Sequence, residues 1–115
     1  MNKAFEKIAL IQGMIAAAFV SDEGKLVAWC ANSAISPENL FFIGETCRVM
    51  LSANRAEQRF ANIGVAAFGE RTLIFREGEA GLFLAYLDSP TNDAVLEWLW
   101  EQVIPLLEAE GIKFE

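Results

Sequence analysis

The chain has 115 residues, 54% of them hydrophobic, with 16 acidic against 9 basic side chains and a formal charge of -7. This is enough for one hydrophobic core, so residues 1–115 are expected to form a single domain, and the composition lies far from the signature of disorder. The acidic balance excludes nucleic acid and an anionic membrane surface as expected partners, because both are held by clustered Lys and Arg, and the absence of histidine removes the commonest general base and zinc ligand.

Residues 3 to 12 place Phe5, Ile8 and Ile11 or Gln12 at helical spacing, with Lys3, Glu6 and Lys7 between them, and Gly13 is a plausible C-cap. From Met14 to Val20 the chain is apolar and small, Ser21-Asp22-Glu23-Gly24-Lys25 has turn chemistry, and Leu26-Val27-Ala28-Trp29 is apolar again. Two strand-length runs about a glycine-containing turn predict a β-hairpin. The region has a second reading, since an apolar run after Met1 and Lys3 that contains Ala16-Ala17-Ala18 looks like the core and cleavage site of a secretory signal. Gln12 and Gly13 interrupt the run such a signal needs, so the hairpin is the simpler account, and the stretch is also too short for a membrane span.

Ser36-Pro37 supplies an N-cap followed by proline at the first helical position. Leu40, Ile43, Cys47, Met50 or Leu51, and Asn54 then recur at helical spacing and predict a second helix. Phe41, Phe42 and Val49 fall outside that stripe, so either the extra apolar residues pack under loops or the helix has a second contact surface. Three strand-length segments follow at 61–68, 71–76 and 80–87, joined by short glycine-containing links, which predicts an antiparallel meander. The small residues Gly64, Ala66 and Ala67 leave room for something packed closely above them.

Ser89-Pro90-Thr91-Asn92-Asp93 opens a last helix that carries Val95, Leu96, Leu99, Val103, Leu106 and Leu107. Pro105 lies inside it and predicts a kink near residues 101 to 104. Trp98 and Trp100 point to different sides of such a helix, so one of them is a candidate exposed anchor.

No cluster describes an active site. Cys30 and Cys47 lack the C-x-x-C spacing and read as two buried thiols in a reducing, cytoplasmic setting. The acids Asp22, Glu23, Glu70, Glu77, Glu79 and Asp88 lie mostly in turns, and Arg48, Arg55, Arg59, Arg71 and Arg76 read as surface charge. Phosphate-binding glycine motifs are absent. The expectation is a protein that is not an enzyme and carries no cofactor.

The order α-β-β-α-β-β-β-α, with Gly13-Met14-Ile15-Ala16-Ala17-Ala18-Phe19-Val20 running into Ser21-Asp22-Glu23-Gly24-Lys25-Leu26-Val27, resembles the Roadblock / dynein light chain family, whose fold is profilin-like. The resemblance implies an α+β domain with a five-stranded antiparallel sheet, the second helix on one face and the terminal helices on the other. It also implies a homodimer or heterodimer, the homodimer being the expectation here, in which third strands pair across a two-fold axis and second helices pack together, drawing on Leu40, Phe41, Ile43, Cys47, Met50, Ile63 and Val65. The expected function is a scaffold or regulator that binds a small Ras-like GTPase, extending in prokaryotic members to modulation of GTP hydrolysis. The final helix lacks the basic residues many members carry, and Trp98, Trp100 and Pro105 match no family position. Two alternatives of other classes are a small-ligand sensor with a pocket floored by Gly64 and Ala66, and a chaperone or secretion adaptor.

Overall fold

In the computed structural model, which describes residues 2–32, 35–56 and 63–114, eight elements follow one another: α1 (Asn2–Ile8), β1 (Met14–Ser21), β2 (Leu26–Ala31), α2 (Pro37–Ala56), β3 (Ile63–Phe68), β4 (Arg71–Gly78), β5 (Gly81–Leu87) and α3 (Asp93–Glu108). The five strands form one antiparallel sheet in the order β2-β1-β5-β4-β3. The element order and sheet are those anticipated.

Strand side chains alternate between faces, and here both faces are covered. Ala16 and Ala18 of β1, Leu73 and Phe75 of β4 and Leu82 and Leu84 of β5 meet α2 in one core. Ala17 and Phe19, Ile74, and Phe83 and Ala85 meet α1 and α3 in the other. A strand buried on both sides needs no polar alternation, which explains the unbroken apolar run of β1. Ala16, Ala17 and Ala18 are fully buried between β2 and β5, so the triplet that looked like a cleavage site is the middle of an inner strand. The β1–β2 turn closes as its chemistry suggests, with the Ser21 N–H donating to the Lys25 carbonyl at 2.8 Å and the Gly24 N–H to the Ser21 carbonyl at 2.9 Å.

α2 starts at Pro37, and the Ser36 hydroxyl accepts from the Asn39 N–H at 3.2 Å. It lies very close to the sheet at Gly44, where a Cβ would sit 2.9 Å from Val20 Cγ2 and 3.3 Å from Leu84 Cδ2. On the other face Phe83 lies between Phe5 and Trp100, with ring centroids at 6.2 and 6.0 Å. α3 is capped by Asn92, whose side chain accepts from the Val95 N–H at 3.0 Å, and it buries Leu99, Val103 and Leu107.

Several boundaries and roles differ from the sequence expectation. α1 stops at Ile8; the chain then passes through tight turns, the Ile11 N–H donating to the Ile8 carbonyl, and Gly13 at φ 87 leads into β1 instead of capping the helix. β4 reaches Gly78 because that residue still pairs with Gly81. α3 runs to Glu108 with Pro105 inside it, as expected. Arg48 and Arg76 are not free surface charges: Arg48 donates to the carbonyls of Val20, at 3.0 Å, and Ser21, while Arg76 lies over the rings of Trp100 and Phe114 at 5.6 and 5.7 Å. Arg59, Ala61, Asn62 and the side chain of Arg55 lie outside the described residues. Among the described residues no helix is long and apolar enough to cross a membrane.

Candidate protein interaction surface

α2 carries two apolar stripes. Leu40, Cys47 and Leu51 recur at spacings of seven and four with Gly44 between them, and this inner stripe is buried against the sheet. Phe42 and Val49 fall on the opposite side of the helix and stand 73% and 68% exposed, and Met50, on the flank between the two sides, is 36% exposed. Lone exposed apolar residues are ordinary, but several aligned on one helix face mark a contact surface. The broad apolar character of the helix therefore does not come from packing under loops at these three positions.

Phe42 and Met50 also belong to one wall of a groove of about 520 Å³. Phe42, Ile43, Thr46 and Met50 provide that wall, and Ala66 of β3, Leu73 of β4 and Tyr86 of β5 provide the floor. Thr46 donates its hydroxyl to the Phe42 carbonyl at 3.1 Å, so its polar group is already engaged by its own helix. At the side of the groove runs β3, an edge strand that among the described residues pairs with β4 alone. Ile63 and Val65 are 40% and 48% exposed there. Their register opposite Arg76 and Ile74 puts them on the face away from α2, while Gly64 and Ala66 face it. An occupant lying along β3 would touch both sets.

Seven residues were expected at a dimer interface, and the structure divides them. Met50, Ile63 and Val65 are exposed, and Phe41 and Ile43 are half-buried. Leu40 and Cys47 are corrected: both are completely buried in their own chain's core and have no surface to offer a partner. The pocket expected over Gly64 and Ala66 is also altered, because a Cβ on Gly64 would meet the Phe75 ring at 2.2 Å. That ring fills the space, as aromatic side chains do over cross-strand glycines, and only Ala66 reaches the groove. Phe42, Thr46, Ala66, Leu73 and Tyr86 are the lining residues that the expected interface lacked; Phe42 had a signal, since it fell off the main stripe, whereas the others are brought together by the tertiary fold.

Burial raises the thiol pKa of Cys30, and it pushes that of Cys47 from 9.0 up to about 12, so the thiolate form is disfavoured in both. Among the described residues no three His, Cys, Asp or Glu side chains come together as metal ligands.

No protein-family model and no curated protein matches the sequence. Solved structures do match in fold. An MglB in a tetrameric arrangement superposes with a TM-score of 0.67 at 19% identity, covering 93% of this chain and 87% of the other. MglB from Myxococcus xanthus gives 0.68 at 10% identity over 94% and 81%, and a Roadblock/LC7 domain from Streptomyces avermitilis gives 0.65 at 12% identity over 95% and 92%. The fold is that of Roadblock/LC7 and MglB proteins.

Proposed function

We propose that this chain is a regulatory scaffold of the Roadblock type that self-associates through the outer stripe of α2 and the open edge of β3. The observation that carries the reading is the meeting of an exposed apolar helix stripe with an unpaired strand edge at one groove. An edge strand left open is an aggregation hazard, and pairing it with a second copy removes the hazard while extending the sheet. A pair of such surfaces related by a two-fold axis is self-complementary. The tetrameric MglB of the same fold supports self-association.

The assembled scaffold binds a small Ras-like GTPase and modulates its GTP hydrolysis; the Roadblock resemblance and the MglB-like fold support this step. It acts without a catalytic group of its own and in the cytoplasm. Light scattering on gel filtration tests the first step, with a dimer or higher oligomer expected. Phe42→Asp, which places a charge on the most exposed ring of the stripe, is expected to give a folded monomer; an unchanged oligomer would refute the α2 interface. The second step is tested by mixing the chain with the Ras-like GTPase encoded beside it and measuring complex formation and GTP turnover, and no complex at micromolar concentration would refute it.

A further inference from the structure

On the far side of the sheet, α3 presents a surface of different chemistry. Glu97, Trp100, Glu101, Ile104 and Pro105 line a shallow trough of about 650 Å³ along the helix. Trp98 stands beside it, 47% exposed. Trp100 is held in place from beneath, its ring edge-on to Phe83 and under the Arg76 guanidinium. The trough is therefore a built feature of the folded chain.

Its polar groups are all of one kind. α3 contains Asp93, Glu97, Glu101 and Glu108 and no Lys or Arg. Glu97 and Glu101 have no ion-pair partner among the described residues and stand four apart, where like charges repel. Pro105 has no N–H, so the Glu101 carbonyl lacks the donor that the fourth residue onward normally supplies. Two carboxylates outside any ion pair among the described residues and the indole of Trp98 favour a cation, while the Arg76 guanidinium beside the trough is engaged over the rings of Trp100 and Phe114. Ile104, Pro105 and Trp100 add an apolar floor between them.

We infer that this trough docks a basic amphipathic helix of a partner protein. A single small cation would leave the apolar floor uncovered. The lining runs over residues 97 to 105, roughly 12 Å of helix, and the Glu97–Glu101 spacing matches Lys or Arg placed one turn apart on a facing helix. Apolar residues of the same helix cover Ile104, Pro105 and the Trp98 ring. Because α3 and the outer stripe of α2 lie on opposite faces of the sheet, docking here leaves the α2 part of the proposed self-association surface free, while Ile63 and Val65 of β3 share the α3 face.

The test titrates the isotope-labelled 115-residue chain with a synthetic amphipathic helix built of leucine and arginine, following the indole N–H resonances of Trp29, Trp98 and Trp100. Saturable shifts of Trp98 and Trp100 with Trp29 unmoved are expected. Glu97→Gln with Glu101→Gln should weaken binding about tenfold, whereas Asp22→Asn with Glu23→Gln, which removes the same charge from the β1–β2 turn, should change it less than about twofold. The inference is overturned if both double variants weaken binding equally, if Trp29 is the indole that moves, or if a peptide with glutamate in place of arginine binds as well.

Discussion

Helices α2 and α3 cover opposite faces of the same sheet with inner stripes of the same kind, Leu40, Cys47 and Leu51 on one and Leu99, Val103 and Leu107 on the other. Their outer faces differ. The charged groups on the outer surface of α3 are all acidic, the exposed carboxylates of Asp93, Glu97, Glu101 and Glu108 standing beside exposed Val95 and Trp98, while α2 exposes Phe42, Val49 and Met50. Both helices satisfy the sheet, so the inner stripes account for folding and the outer faces carry the information about partners. An apolar outer face asks to be covered, and a charged one asks for counter-charge.

The contrast can be broken experimentally, beginning where the effect is largest. Phe83→Ala removes the ring between Phe5 and Trp100 on the α1/α3 side and should cost about 3 to 5 kcal/mol in denaturant unfolding. A loss below about 1 kcal/mol would mean that this layer is not the tightly packed one. Cys47 tests the inner stripe of α2 through pH. Its folded pKa is raised, so its contribution is fully present below the unfolded value of 9.0 and is lost as pH rises toward about 12. Stability should fall in that window by up to about 1.4 kcal/mol per pH unit, and Cys47→Ala should flatten the slope even though it lowers the plateau. Gly64→Ala drives a methyl into the Phe75 ring at the rim of the α2 layer and should cost about 1 to 3 kcal/mol. Val49→Ser, on the outer stripe, should change the stability of a Phe42→Asp monomer by less than about 0.5 kcal/mol while weakening association of the unmodified chain.

Much of the architecture was legible because it is written in local patterns. The β1–β2 turn announces itself in Ser21-Asp22-Glu23-Gly24, the α2 start in Ser36-Pro37 and the α3 cap in the run that ends at Asn92. The exposure of Phe42 and Val49 was legible for the same reason, as both break the main stripe of α2. The candidate surface was less so. Leu40 and Cys47 share a helix with the exposed residues, and spacing identifies two stripes without saying which one the sheet claims. That choice is made at Gly44, whose missing side chain lets one side of α2 settle against Val20 and Leu84. The ring of Phe75 over Gly64 was hidden too, because it depends on how β3 and β4 are registered. Arg48 and Arg76 read as surface charge for want of any local sign of the carbonyls and rings they reach.

By itself the sequence determined which segments are helices and strands, their order, and which positions alternate, since each of these follows from the period of the backbone and the chemistry of caps and turns. Only the tertiary structure decided that β5 inserts between β1 and β4, leaving β3 at an edge. It also decided that Thr46, Leu73, Ala66 and Tyr86, drawn from four elements, meet in one groove. Those arrangements rest on strand pairings and contacts between residues far apart in the chain, whose register is selected by burying two faces of a sheet at once, and no window of neighbouring residues encodes that selection.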